Sequence, residues 1–417
     1  MLNERNVIKW QLWSAAAYLA LLPSNAWTFA RSLAFGLTCS FAALILVGSW
    51  TGRWERIRSP GTIILCTFLG WSAWSIASLA WSIHPDYSAT QLKREIGWSL
   101  LTAAAFFVAP RTAQAWRVLQ VTALAAFAGY ASLALGAELL FGGWDPSRWH
   151  SGVGPYATHV VLVAPLLLTL MAPPPIGFGA RSAIVAACLG LLLLSLVSAR
   201  VTDNRMVWIA LAAAFATASA CAAWRWHAAL TRTPLRWLGP LFALLMVLAI
   251  LFIDVIHERA QSDFPPQTPV AQSLVDDPRL PLWERAGQLI RERPWVGYGF
   301  GRGIVAEQLK GAAGSPSLWH AHNVFVAQIL QTGAIGLSLF VALLVALCAR
   351  FARYLRSSDD ALAVIGIAGV SLVAGFVVKN LTDDFLFRSN AKEFWALLAM
   401  LVGFGTRLER RSPAAIN

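Results

Sequence analysis

Long apolar stretches follow one another along almost the whole chain, separated by short clusters rich in arginine, proline and glycine. Spanning a bilayer as a helix takes about 20 apolar residues. On that measure the pattern predicts about twelve helices. They fall at 8–24, 26–49, 61–82, 96–109, 115–140, 153–172, 182–199, 205–224, 236–256, 322–349, 361–381 and 393–407. The first run ends near Ser24-Asn25-Ala26, a small-x-small pattern similar to a signal cleavage site. It is read here as a retained helix.

Composition narrows the class further. Of 417 residues, 57% are hydrophobic, 13% are charged and 20 are tryptophan. A soluble domain cannot hide so much apolar surface, and tryptophan favours membrane interfaces. The expected fold is an all-α polytopic membrane protein, a single integral domain. It comprises helices one to nine over 1–256, a large loop over 257–321, and three further helices over 322–417. Cys39, Cys66, Cys188, Cys221 and Cys348 all lie in apolar runs and form no Cys-x-x-Cys pair, so a disulfide or redox framework has no support.

The distribution of charge then predicts orientation. With both termini cytoplasmic, the segments on that side carry 17 of the 33 basic residues and 5 of the 21 acidic ones. The other side is left with 16 of each, so the whole net charge of +12 sits on one face. This is a positive-inside pattern. The basic balance therefore reports topology and contact with anionic lipid, and argues against nucleic-acid binding.

One connection is out of scale. Most loops are short, whereas 257–321 contains Pro-Pro, Asp-Asp-Pro and Gly-Tyr-Gly-Phe-Gly. A loop this long in a compact protein is usually functional, and the charge pattern places it in the periplasm. Pro281 to Glu292 reads as a helix within it. Trp283, Ala286, Gly287 and Ile290 form one face, and the helix could lie on lipid, cap a cavity or simply pack.

Several polar groups collect on the same predicted face. They are Arg200 to Arg205, Arg279 with Trp283, the His320-Ala321-His322-Asn323 boundary, and Lys379, Asp383, Asp384, Arg388 and Lys392. Glu138, His159 and Asp254 lie near the same helix ends, and Lys93 and Arg94 sit in another periplasmic connection. Ionisable groups at a membrane boundary are costly and often functional. Each also has a plainer role: arginines and lysines snorkel to phosphates, Asp383 and Asp384 balance neighbouring cations, and His320 beside Trp319 serves structure.

From His322 the chain reads His-Asn, nine residues, Gly333, two residues, Gly336. Upstream stand Arg279-x-x-x-Trp283 and Pro294-Trp295-Val296-Gly297-Tyr298-Gly299. With the helix count and the late loop, this resembles the O-antigen ligase and polymerase superfamily of lipid-linked glycan transferases, most closely the O-antigen ligases. The resemblance implies a GT-C-like fold with the active site facing the periplasm of a bacterial inner membrane. It implies His322 as the catalytic residue and Arg279 as the loop arginine at the donor. Arg205 best matches the arginine opening the eighth helix, with Arg200 left as the alternative. Asn323, Lys93, Arg94, Asp383 and Asp384 are possible supporting residues. The implied reaction moves a glycan from undecaprenyl pyrophosphate to a sugar hydroxyl of lipid A-core in lipopolysaccharide biosynthesis, with inversion.

Those residues suit that chemistry. Arginine forks match the oxygens of a pyrophosphate gaining charge as it leaves. Neutral imidazole can accept a proton from a hydroxyl near neutral pH, and a helix N-terminus disfavours imidazolium. No carboxylate cluster forms an obvious metal cage, so no cofactor or metal is expected. An O-antigen polymerase would share the chemistry, but often shows two large loops and an Arg-x10-Gly element absent from this one. A protein O-oligosaccharyltransferase differs only in its acceptor. A secondary transporter would show paired repeats, broken helices and midplane charges.

Overall fold

The computed structural model describes residues 3–141, 152–170, 178–202, 204–230, 279–311 and 319–411. The predicted ninth span, 236–256, and its Asp254 lie outside these residues, as do 257–278 of the large loop. The described residues are helical, with no strand among them. In chain order the helices are α1 (Glu4–Leu21), α2 (Thr28–Trp50), α3 (Thr62–Ala77), α4 (Pro85–Gln91), α5 (Trp98–Val108), α6 (Ala113–Phe141), α7 (Val153–Val163) and α8 (Leu167–Leu170). They continue as α9 (Phe178–Val201), α10 (Arg205–Leu230), α11 (Arg279–Glu292), α12 (Ala306–Leu309), α13 (Val324–Leu355), α14 (Asp360–Lys379) and α15 (Arg388–Arg411).

Among the described residues, seven segments are long and apolar enough to cross a membrane. They are α2, α3 with its terminal 3-10 turn, α6, α7 with α8, most of α10, α13 and α14. The remaining runs give shorter or more polar helices. α5 has 11 residues, and α15 carries charge at both ends. The connection holding Lys93 and Arg94 is itself helical, because α4 passes through a π-turn at Leu92–Gly97 straight into α5.

Close packing follows from the apolar faces. α10 lies along α14, α5 along α15, and α13 against both α3 and α14. Phe376 and Phe394 stack with ring centroids 3.9 Å apart, next to Trp395. Serine and threonine hydroxyls inside the spans donate back to carbonyls one turn earlier, as Ser72 and Ser75 do in α3. Such bonds satisfy polar groups where water is scarce.

The helix carrying the His-Asn boundary is not continuous. Gly333 adopts φ 69°, ψ −173° in the middle of α13, and residues 294–300 of the loop pass directly through the break. The N–H groups of Tyr298 and Gly299 donate to the freed carbonyls of Leu330 and Gln331, each at 2.9 Å. In return the N–H of Ala334 donates to Pro294 O at 2.8 Å. Three tryptophans pin the crossing: Trp74 donates to Thr332 O and Trp81 to Val296 O, while Trp71 donates to the Gln328 side chain. Irregular backbone at membrane depth survives only when protein satisfies it, and here the loop does so strand-fashion. A Cβ at Gly333 would lie 2.0 Å from Trp295 O.

Candidate functional site

The sequence of α13 prepares its own N-terminus. Asn323 caps it, its side-chain oxygen accepting from Phe325 N at 2.9 Å and Val326 N at 3.1 Å. The Asn323 amide donates to Leu381 O at 2.8 Å, and Val324 N donates to Asn380 O at 3.0 Å. The helix start is thereby tied to the connection after α14. His322 precedes the cap in the left-handed region, with φ 48°. That conformation is rare for a side-chain-bearing residue and typically marks a site held by its surroundings.

The ring of His322 stacks on His320 at 3.7 Å. His320 is buried, and its Nε2 lies 2.8 Å from the Arg302 guanidinium. Arginine can only donate, and the His322 N–H also donates to His320 Nδ1 at 3.2 Å, so the ring serves as an acceptor and is neutral. Burial, then the charge of Arg302, then His322 push the His320 pKa down to about 2. Arg302 also pairs with Asp384, Nε to Oδ2 at 3.3 Å, and its guanidinium lies against the rings of Trp319, Phe385 and Phe387. Burial raises the Asp384 carboxyl and Arg302 opposes the rise. Asp383 pairs with the fully buried Lys379.

The loop helix closes over this arrangement. Trp283 of α11 donates to Ala321 O at 2.8 Å. Its buried face is Leu282, Ala286 and Leu289, which corrects the face expected from the sequence: of that set only Ala286 is buried. These side chains pack on Tyr298, Ile304, Ala327 and Leu330, so α11 is a packed cap on the upper half of α13. Arg279, half-buried one turn before Trp283, lies near enough to Lys379 for the two like charges to interact.

Helix α10 brings the remaining expected residues to the same end of the bundle. Gly375 of α14 packs against Ala210 and Ala214, whereas Arg225 near the far end of α10 donates to Ser357 O at 3.0 Å. The two helices are therefore antiparallel, and the start of α10 at Arg205 lies toward Lys379. Arg200 is half-buried in the last turn of α9. The Arg205 side chain lies outside the described residues. Lys93 and Arg94 are exposed, and Glu138 is exposed on α6, so neither group joins the buried cluster. His159 instead meets Glu393 inside the bundle at 2.5 Å.

Two residues absent from the sequence expectations are central to the site. Arg302 follows Gly-Tyr-Gly-Phe-Gly directly, and that glycine run was the available signal. Glu95 had none: directly after Lys93 and Arg94, it reads as part of a surface charge cluster. The π-turn sends it inward, where it accepts from Arg388 N at 3.0 Å and lines a narrow cavity with Arg302, Gln328, Gln331 and Asp384. Burial is the main cause raising Glu95 to about 7, against the pull of the Arg388 N–H and the charge of Lys392. The cavity, about 20 Å³, has room for a water or two. Among the described residues no group of three His, Cys, Asp or Glu side chains could hold a metal ion.

Comparison with known families bears directly on these residues. Residues 190–341 match the family model described as O-antigen ligase. Over that segment the chain is similar to the O-antigen ligase and polymerase superfamily. No curated protein matches the chain. The matched segment runs from within α9 to within α13, so it takes in Arg200, Arg205, Arg279, Arg302, His322 and the Gly333 break.

Proposed function

We propose that the protein is an O-antigen ligase, a periplasm-facing transferase of the bacterial inner membrane. The observation that carries this reading is the convergence, inside the matched segment, of His322, Arg279 and the start of α10 at one end of the bundle. The donor is a glycan on undecaprenyl pyrophosphate and the acceptor is a sugar hydroxyl of lipid A-core. His322 takes the hydroxyl proton as the acceptor oxygen bonds to the anomeric carbon. The bond from that carbon to the pyrophosphate oxygen breaks, inverting the centre, and the leaving group departs as an anion. Arg279 and Arg205, with Arg200 as the alternative to the latter, neutralise the developing charge. Asn323 and the α13 N-terminus hold the base, and Asp383 and Asp384 anchor the cations around it.

The broken α13 is a feature also expected of a transporter. Here, however, the break is filled by the protein's own loop, whose backbone satisfies the freed groups; an ion path would need them open. The reading is tested with protein reconstituted in liposomes. It should move glycan from the lipid pyrophosphate to lipid A-core, with or without a chelator. His322→Ala should lower the rate at least about 100-fold while the protein stays folded; intact transfer would remove His322 from the chemistry. Offering lipid A-core, a second lipid-linked glycan and an acceptor protein separates ligase, polymerase and protein transferase.

A further inference from the structure

The other end of α5 and α15 holds a second cavity, much larger than the first. Glu95 and Arg388 join the two helices at one end, while at the other Arg407 donates to the carbonyls of Phe107, Val108 and Pro110. From Arg388 to Arg407 α15 rises roughly 28 Å at 1.5 Å per residue, about the thickness of the bilayer core. The cavity there measures about 310 Å³, against about 20 Å³ for the cavity at Glu95. Its charged lining is Arg56, Arg58, Arg111, Arg407 and Arg410 against the single acid Glu55. Arg407 is committed to the α5 carbonyls and Arg410 to Glu55. Arg56 and Arg58 are exposed at the rim.

Arg111 is the informative member. Its side chain is only 7% exposed; its Nη2 donates to Glu55 O at 3.4 Å and faces the Glu55 carboxylate at 3.9 Å. Yet its Nη1 donates no hydrogen bond among the described residues, with the Glu4 carboxylate 3.8 Å away. A buried guanidinium with an unused donor is costly and calls for an acceptor. The depth of the cavity indicates which acceptor is available. Trp50, at the end of α2, is 88% exposed beside the cavity's 55–58 segment, as expected of an aromatic at headgroup level. Ile57 and Phe107 supply an apolar wall next to the charges. Forked cations beside an apolar wall at the lipid interface suit a phosphodiester attached to acyl chains.

We propose that this cavity binds the phosphate of an anionic phospholipid from the leaflet opposite the candidate active site. Arg111 contacts the phosphate from within, and Arg56 and Arg58 hold it at the rim. The test uses the full chain in detergent, in phosphate-free buffer, with thermal unfolding as readout. Phosphatidylglycerol should raise the Tm of the wild type, and phosphatidylcholine should not. The shift should vanish in Arg111→Gln and shrink in the Arg56→Gln/Arg58→Gln double variant. It should persist in Arg53→Gln/Arg356→Gln, which removes two exposed charges that do not line the cavity. Equal shifts with phosphatidylcholine, an undiminished shift in the rim variant, or loss in the control variant would overturn the proposal. So would inorganic phosphate matching the lipid's effect at equal concentration, since the ligand would then be a soluble anion. Should Arg111→Gln fail to fold, the exposed rim pair decides alone.

Discussion

At the residue scale the candidate site depends on charges held away from water by specific partners. Arg302 touches Asp384, His320 and three aromatic rings while only 12% of its side chain is exposed. Removing one member of a buried pair leaves the other uncompensated, at a cost of about 3–5 kcal/mol. Arg302→Met should therefore lower the Tm sharply, and Arg302→Met with Asp384→Asn should recover part of the loss. Equal Tm values for the single variant and wild type would mean the pair contributes nothing. Glu95 makes a prediction with a sign. Its folded pKa, about 7, lies above the ordinary 4.5, so the folded state binds the extra proton. Its contribution is fully favourable below pH 4.5 and is lost as pH rises toward 7. The swing is roughly 3 kcal/mol at 1.36 kcal/mol per pKa unit. Glu95→Gln should accordingly be more stable than wild type at pH 8 and lose that advantage near pH 4.5, as unfolding scans at the two pH values would report. The glycine run before Arg302 marked a place but not these roles, because Arg302 and Glu95 acquire them from Asp384 and Arg388, which are distant along the chain.

At the scale of elements, the apolar runs were legible and the break in α13 was not. Residues 322–349 read as one uninterrupted span, and Gly333 within it looks like any small residue of a membrane helix. The sequence did mark the place through its spacing: Gly333 belongs to the His-Asn pattern, and Pro294 to Gly299 is the segment that fills the gap. What spacing alone could not supply was the meaning, since the two motifs complement each other only after folding. The same limit applied to α11, where Leu282, Ala286 and Leu289 were chosen for burial by the loop they pack on. If this interlock fixes the loop, Gly333→Ala should release it, because the new methyl group would overlap the Trp295 carbonyl. Arg291 lies just before the crossing and is exposed, whereas Pro294 shields the bond after Arg293 from trypsin. Trypsin should then cut the variant after Arg291 much faster than the wild type, in proportion to the opened population. An unchanged digestion rate would show that the backbone absorbs the change elsewhere.

For the whole molecule, charge asymmetry and structure describe the same axis independently. The basic residues counted from sequence include Arg53, Arg56, Arg58, Arg225, Arg350, Arg353 and Arg356. In the fold, Arg225 reaches Ser357 and Asp360 while Arg407 and Arg410 reach the 107–110 and 55 positions, gathering one end of the bundle. His322, Lys379 and the start of α10 gather the other, where both carboxylates of the 383–384 pair are matched by cations. A positive-inside orientation would therefore put the anion-binding cavity in the cytoplasm and the candidate active site in the periplasm. Two exposed positions decide it: His84, before α4, and Ser358, before α14. In a cysteine-free background, His84→Cys should react with a membrane-impermeant maleimide added to intact spheroplasts. Ser358→Cys should react only after the membrane is permeabilised. The reverse pattern would invert the topology, turning His322 away from any periplasmic acceptor and removing the basis for glycan transfer to lipid A-core on that side.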